Sequence, residues 1–331
     1  MTWRNWLKLG CLLGWGFAAS GIAAGSAVDD FITSAREKHG DAGERAARFL
    51  VENMPPKDRE SLSTAFLLEN LNLAFQARAE FPWARQVPEE LFHNDVLPYA
   101  VFDESREPWR ADLLPIARAI VKDAASATDA AQALNRELFN QVKVHYHTGR
   151  RRPNQSPKES MEQGKATCTG LAILLVDACR AVGIPARAVG TPLWANLRGN
   201  HTWIEIWDGN WHFAGADEYD KAGLDRGWFV GDAAQARAEE PRHAIYATSW
   251  KRDGLTFPMV WAKDSQAVAA VNVTARYAKS NSPTEPAARL GIRLWDKKGG
   301  QRVVAKVRVL DSACQPQGTE ETKAGTADLN D

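Results

Sequence analysis

The sequence predicts an α+β protein, and three observations carry that prediction. Apolar residues recur at three- and four-residue spacing from about Asp30 to Val144, the period of a helical region. A long apolar helix signal, "TCTGLAILLVDACRAVGIPAR", then runs from Thr167 to Arg187, and "HTWIEIWDGNWHF" after it alternates with period two. Closer to the C-terminus "VAAVNVTARYA" and "ARLGIRLWDKKGGQRVVAKVRVL" alternate again, with "DKKGG" as a hairpin turn. The expected architecture is a helical N-terminal region, a core with one buried helix packed on an antiparallel sheet, and a small C-terminal β-sandwich-like module.

The first 27 residues read as an export signal. Arg4 and Lys8 supply the positive start, "LGCLLGWGFAA" the apolar core and "AAGSA" small residues suited to cleavage. The run is too short for a spanning helix. Lipidation of Cys11 fits poorly, because Lys8 stands where an apolar residue is wanted and most of the apolar core follows the cysteine. The expected location is therefore periplasmic or secreted, with no membrane insertion once the signal is removed. Removal takes two of the 41 basic residues and none of the 41 acidic ones. A chain this close to neutral offers no electrostatic case for nucleic acid or an anionic membrane as partner.

The remaining chain divides into residues 28–145 (helical), 146–262 (the core), 263–314 (the β module) and a polar tail, 315–331, expected to be disordered. In the helical part "ERAARFLVENM", "STAFLLENLNLAFQARA", "LLPIARAIVKDA" and "AAQALNRELFNQVKV" are the helix signals, and prolines at 55, 56, 82, 98 and 108 mark the breaks. Gly149–Ser160, with three adjacent arginines, reads as a solvated loop. His145 and His147 before it form an HxH pair with no third ligand at metal-site spacing, so neither metal nor cofactor is expected.

Three cysteines, Cys168, Cys179 and Cys314, remain after export. Eleven residues of helix separate the first two by about 16 Å, too far for a disulfide. A Cys179–Cys314 bridge or three free thiols remain open. Cys168 is the chemically suggestive one. It falls in the first turn of the apolar helix, after a hydroxyl N-cap candidate at Thr167. A helix N-terminus carries about half a positive charge and unsatisfied N–H groups, which favour a thiolate and can hold an oxyanion. Its backbone N–H is the safest oxyanion donor, with Gln155 and Gln163 as side-chain candidates.

His201 begins the alternating strand and supplies a base. The hairpin at Asp208–Asn210 allows three registers, which set Ala216, Asp217 or Glu218 opposite His201, so two carboxylates lie opposite or beside it in each. Nucleophile, base and acid in this arrangement form the cysteine version of a catalytic triad. Trp203, Trp207, Trp211 and Trp228 crowd the same region, most of them as core and one or two as lining for an extended chain or a sugar.

The ordered set "ESMEQGKATCTGLAILLVDACRAVGIPARAVG" followed by "GNHTWIEIWDGNWHF" resembles the transglutaminase-like superfamily, a papain-like Cys-His-acid fold, and its exported bacterial members in particular. The likeness covers roughly residues 156–235. It implies Cys168 as nucleophile and His201 as base. The family's aspartate four residues after the strand tryptophan falls here on Gly215, and the "GADE" variant favours Glu218 over Asp217 as the third residue. The implied activity is thioester chemistry on amide bonds of a peptide or protein, cell-wall peptide included, by hydrolysis (a protease or amidase) rather than amine transfer. The alternative is a non-catalytic peptide- or glycan-binding scaffold, kept open by the glycine at 215.

Overall fold

A computed structural model of the protein describes residues 19–278, 294–297, 303–310 and 316–321. The chain separates into two units, 1–68 and 69–331. In the first, α1 (Ala19–Asn53) is broken by Gly40, whose φ of 64° and ψ of −153° are open to glycine alone. The helix α2 (Pro56–Ser61) starts with proline at its first position, where no N–H is needed. Residues 1–18 of the expected signal lie outside the described residues, and Ala19–Ala27 open α1. No helix among the described residues is long and apolar enough to cross a membrane.

The second unit takes in α3 (Thr64–Glu80) from Glu69 onward, the short turns α4 (Pro82–Arg85) and α5 (Glu89–Leu91), and a π turn at Phe92–Val96. Then come α6 (Trp109–Ile120), α7 (Ala127–Val142), β1 (His145–Tyr146), α8 (Pro157–Gln163), β2 (Lys165–Ala166) and α9 (Cys168–Ala181). The predicted helical region is thus helical, with breaks where the prolines fall.

Every residue of α9 is buried. Its apolar body packs on α6, α7 and α8 on one side and on the sheet on the other. The Trp83 indole N–H donates to the carbonyl of Val182, 2.9 Å away, and the chain turns at Gly183 into β3 (Ala186–Thr191). After β4 (His201–Trp207), β5 (Trp211–Ala214), α10 (Val230–Ala233), β6 (Tyr246–Ser249) and β7 (Ala269–Asn272), the sheet has the order β5-β4-β3-β6-β7, antiparallel throughout. Ile204 and Ile206 face the α9 core, while Val189, Trp203, Phe229 and Ile245 form a second apolar layer on the opposite face. This is the expected α+β core, a cysteine-bearing helix on an antiparallel sheet.

The C-terminal part differs from the expectation in two ways. "VAAVNVTARYA" belongs to the main sheet: Ala269–Asn272 pair with β6, because Ala269 and Ala270 bury against the core, and Thr274–Tyr277 turn into α11. The tail expected to be disordered from 315 contributes β9 (Pro316–Glu321), paired antiparallel with β8 (Lys306–Leu310) in a two-stranded sheet. Backbone pairing needs no apolar side chain, so the polar composition of that stretch misled. The "DKKGG" hairpin and Cys314 fall largely or wholly outside the described residues.

Asp95, at the π turn, is fully buried, and burial pushes its carboxyl up to about 6 against the pull of Arg187 and Arg180. A carboxyl raised on folding binds its proton more tightly in the native state. Stability is therefore lost as pH rises from the unfolded value near 3.9 through 6, by on the order of 3 kcal/mol. Asp95→Asn removes that dependence. In urea unfolding at a series of pH values, the stability gap between variant and wild type should grow in the variant's favour from pH 4 to pH 7.

Candidate active site

The β4–β5 hairpin selects one of the three possible registers. Trp207 pairs with Trp211, Ile206 with His212 and Ile204 with Ala214, which is the three-residue Asp208–Asn210 loop. Continued, this register would set Asp217 opposite His201. The ladder stops at Ala214 instead. Asn135, on α7, donates from Nδ2 to the Gly215 carbonyl (2.8 Å) and accepts from the Asp217 N–H through Oδ1 (3.0 Å). Held this way, Asp217 adopts a φ of 63°. Its carboxylate turns to His145 on β1, 3.0 Å from Nδ1. Burial raises the Asp217 carboxyl, and the hydrogen bond from His145 works against that rise.

Glu218 takes the other route. A Cβ built on Gly215 would lie 2.1 Å from Glu218 Oε2 and 2.6 Å from its Cδ. The Glu218 carboxylate therefore occupies the space that a side chain at 215 would fill, and the glycine is what admits it. The indole N–H of Trp228 donates to Glu218 Oε1 at 2.9 Å.

Cys168 opens α9 as expected, but Thr167 makes no side-chain cap. The Arg150 guanidinium donates to its hydroxyl instead (3.2 Å). The arginine loop is partly tied down: Arg152 pairs with Glu159, and Arg151, its side chain exposed, donates through its backbone N–H to Gln155 Oε1 and Gln163 Oε1. The two glutamines proposed as oxyanion donors are committed elsewhere. Gln155 Nε2 serves the Lys165 carbonyl (2.9 Å) and Gln163 Nε2 serves Gln155 Oε1 (2.8 Å) and the Glu159 carbonyl (3.0 Å). The Cys168 backbone N–H remains the donor that position alone supplies.

Alternation along β4 turns Thr202 toward α9, where its hydroxyl meets that of Thr169 at 3.0 Å. This buried contact ties the residue after the cysteine to the residue after the histidine. His201 itself lies on the Trp203 side of the strand, at its first position, and is buried. Its ring is surrounded by Trp228 (4.7 Å between centroids), Phe229 (5.0 Å), Trp203 (5.7 Å) and Trp194 (6.2 Å). The tryptophan and glutamate of "HTWIE" are structural. Trp203 Nε1 donates to the Tyr277 hydroxyl, which donates to Glu205 Oε1 (2.7 Å), while Arg187 pairs with Glu205 Oε2.

Cys168, His201, Asp217 and Glu218 all line one cavity of about 120 Å³, together with Tyr146, Thr202, Ala216 and Trp228. Both carboxylates reach the histidine's cavity, but Asp217 is engaged by His145 and Glu218 by Trp228. Among the described residues no group of three or more histidines, cysteines or carboxylates could hold a metal ion; His145 and His147 serve Asp217 and the Gly149 N–H.

Fold and cavity together define a class: a domain in which a cysteine opening a buried helix shares a cavity with a histidine and a carboxylate carried by an antiparallel sheet and its outgoing loop. Residues 115–233, a span that contains all of these side chains, match the family model of the transglutaminase-like superfamily, so the chain carries a domain of that superfamily. It is also similar to the solved structure of a "Putative Cysteine Protease" from Cytophaga hutchinsonii, with 19% identity and a TM-score of 0.31. That match covers 54% of each chain, so this chain spans about half the length of that structure. No curated protein matches the chain.

Sequence reasoning missed Asn135, whose signal was a polar residue on the apolar face of "AAQALNRELF", and it left Trp228 undistinguished among its neighbours. Cys179, at the far end of α9, is buried with its thiol pushed up to about 12. In the native protein iodoacetamide should label Cys168 and spare Cys179 until the chain is unfolded. Peptide mapping of the labelled sites checks this.

Proposed function

We propose that this protein is an exported cysteine enzyme that cleaves amide bonds of peptides or proteins through a thioester. The observation that carries the reading is the cavity shared by Cys168, His201 and Glu218 at the start of a buried helix. The Cys168 thiolate attacks the amide carbon, and the oxyanion is held by the Cys168 N–H. The C–N bond breaks as the His201 imidazolium gives its proton to the leaving amine. Water then attacks the thioester, gives its proton to His201, and the C–S bond breaks to restore the thiolate. Glu218 orients the imidazole in place of an aspartate at 215.

Water is favoured as acceptor over an amine because it is present at about 55 M. Cell-wall peptides fit the predicted export. Ammonia release from glutaminyl peptides without amine incorporation, lost in Cys168→Ala, supports this reading; amine incorporation that outruns ammonia release overturns hydrolysis.

The carboxylate assignment has its own test. His201→Ala should lower kcat about 10²–10⁴-fold, and Glu218→Ala about tenfold or more. Asp217→Asn should leave kcat within a few-fold. Because Glu218 fills the space above Gly215, the Gly215→Asp/Glu218→Ala double variant should recover much of the activity that Glu218→Ala loses. A double variant no better than the single one overturns the positional equivalence.

A further inference from the structure

We infer that Trp228 is a positioning residue: its indole N–H and ring set the Glu218 carboxylate against the His201 imidazole. The inference rests on the enzymatic reading above. Trp228 is the residue that touches both partners, donating to Glu218 Oε1 at 2.9 Å and packing its ring 4.7 Å from that of His201. It is also 45% exposed, unusual for a tryptophan in such surroundings, and this exposed ring forms a wall common to two spaces. One is the small cavity of Cys168, and the other is an open depression of about 780 Å³ that it lines with Glu218, Tyr219 and Arg226.

The backbone explains how an exposed ring is held so closely. After Ala214 the chain makes an excursion and comes back to the same edge strand: Asp225 N–H donates to the Phe213 carbonyl (2.9 Å), Asp225 Oδ1 accepts from the Phe213 N–H (2.9 Å), and Arg226 bridges Ala214. Three residues on, Phe229 is fully buried among Trp203 and Phe213. Trp228 is thus pinned on both sides, and Arg198, itself held by Asp232 at 3.0 Å, places its guanidinium 5.9 Å from the ring centroid. A carboxylate three residues beyond a glycine, on a segment outside the ladder, has several rotamers open to it. A directed N–H donor selects one of them, and the ring that carries the donor also shields the imidazole from water.

Trp228→Phe keeps the ring on His201 and removes the N–H. In the full-length protein its kcat for amide cleavage should fall about tenfold with KM within about twofold of wild type and the melting temperature unchanged. The decisive measurement is a double-mutant cycle with Glu218→Gln, read both in kcat and in the rate constant for iodoacetamide alkylation of Cys168. If Trp228 acts through Glu218, the pair loses no more than Glu218→Gln alone. Losses that multiply, or a Trp228→Phe variant indistinguishable from wild type, overturn the inference while leaving the enzymatic reading intact. A wild-type Cys168 that alkylates no faster than free cysteine overturns the enzymatic reading and this inference with it.

Discussion

The burial of α9 is the constraint on which the rest of the structure depends. All fourteen of its residues are removed from solvent, so the helix has one position and one tilt between α6, α7 and the sheet. Cys168 is carried to the end of the sheet by that packing and not by any local device. The Thr169–Thr202 hydroxyl contact then links the helix to β4 one residue from each reactive side chain. A helix with a polar outer face would have tolerated sliding or rotation; here either movement would expose Leu171, Leu174 and Leu175 to water or leave voids beneath them.

The second organising feature is the departure of the chain from the sheet after Ala214. Pairing three residues further would have kept Asp217 in the ladder and opposite His201. Asn135 intervenes by satisfying the Gly215 carbonyl and the Asp217 N–H, which fixes the path of the chain as it leaves the sheet. The result exchanges the fates of adjacent acids. Asp217 goes to His145, and Glu218 folds back over a glycine whose missing side chain makes the room.

Much of the fold was legible beforehand, because periodicity records burial directly. The four helix signals, the buried cysteine helix and the β4–β5 hairpin all appear where the apolar spacing put them. The C-terminal strands were less legible. A strand that joins the main sheet and one that pairs in a separate hairpin have the same alternation, and the polar β9 has little apolar signal at all. In the site, the helix-start cysteine and strand-start histidine could be read from position. The choice between two adjacent carboxylates could not, since a register argument assumes that the ladder continues.

The sequence by itself determined the reactive types and their order: a cysteine opening an apolar helix, a histidine opening an alternating strand, and two acids after the hairpin. It also determined that Cys168 and Cys179 cannot bridge, since a helix sets their separation. Only the tertiary structure decided which acid stands over Gly215, that the two glutamines are spent on the loop, and that Trp228 rather than another tryptophan borders the cavity. The physical reason is that each of these depends on directed side-chain hydrogen bonds that apolar periodicity does not record, and the first of them joins residues distant in the chain. Asn135 lies 80 residues from Gly215, and no local pattern encodes such a meeting.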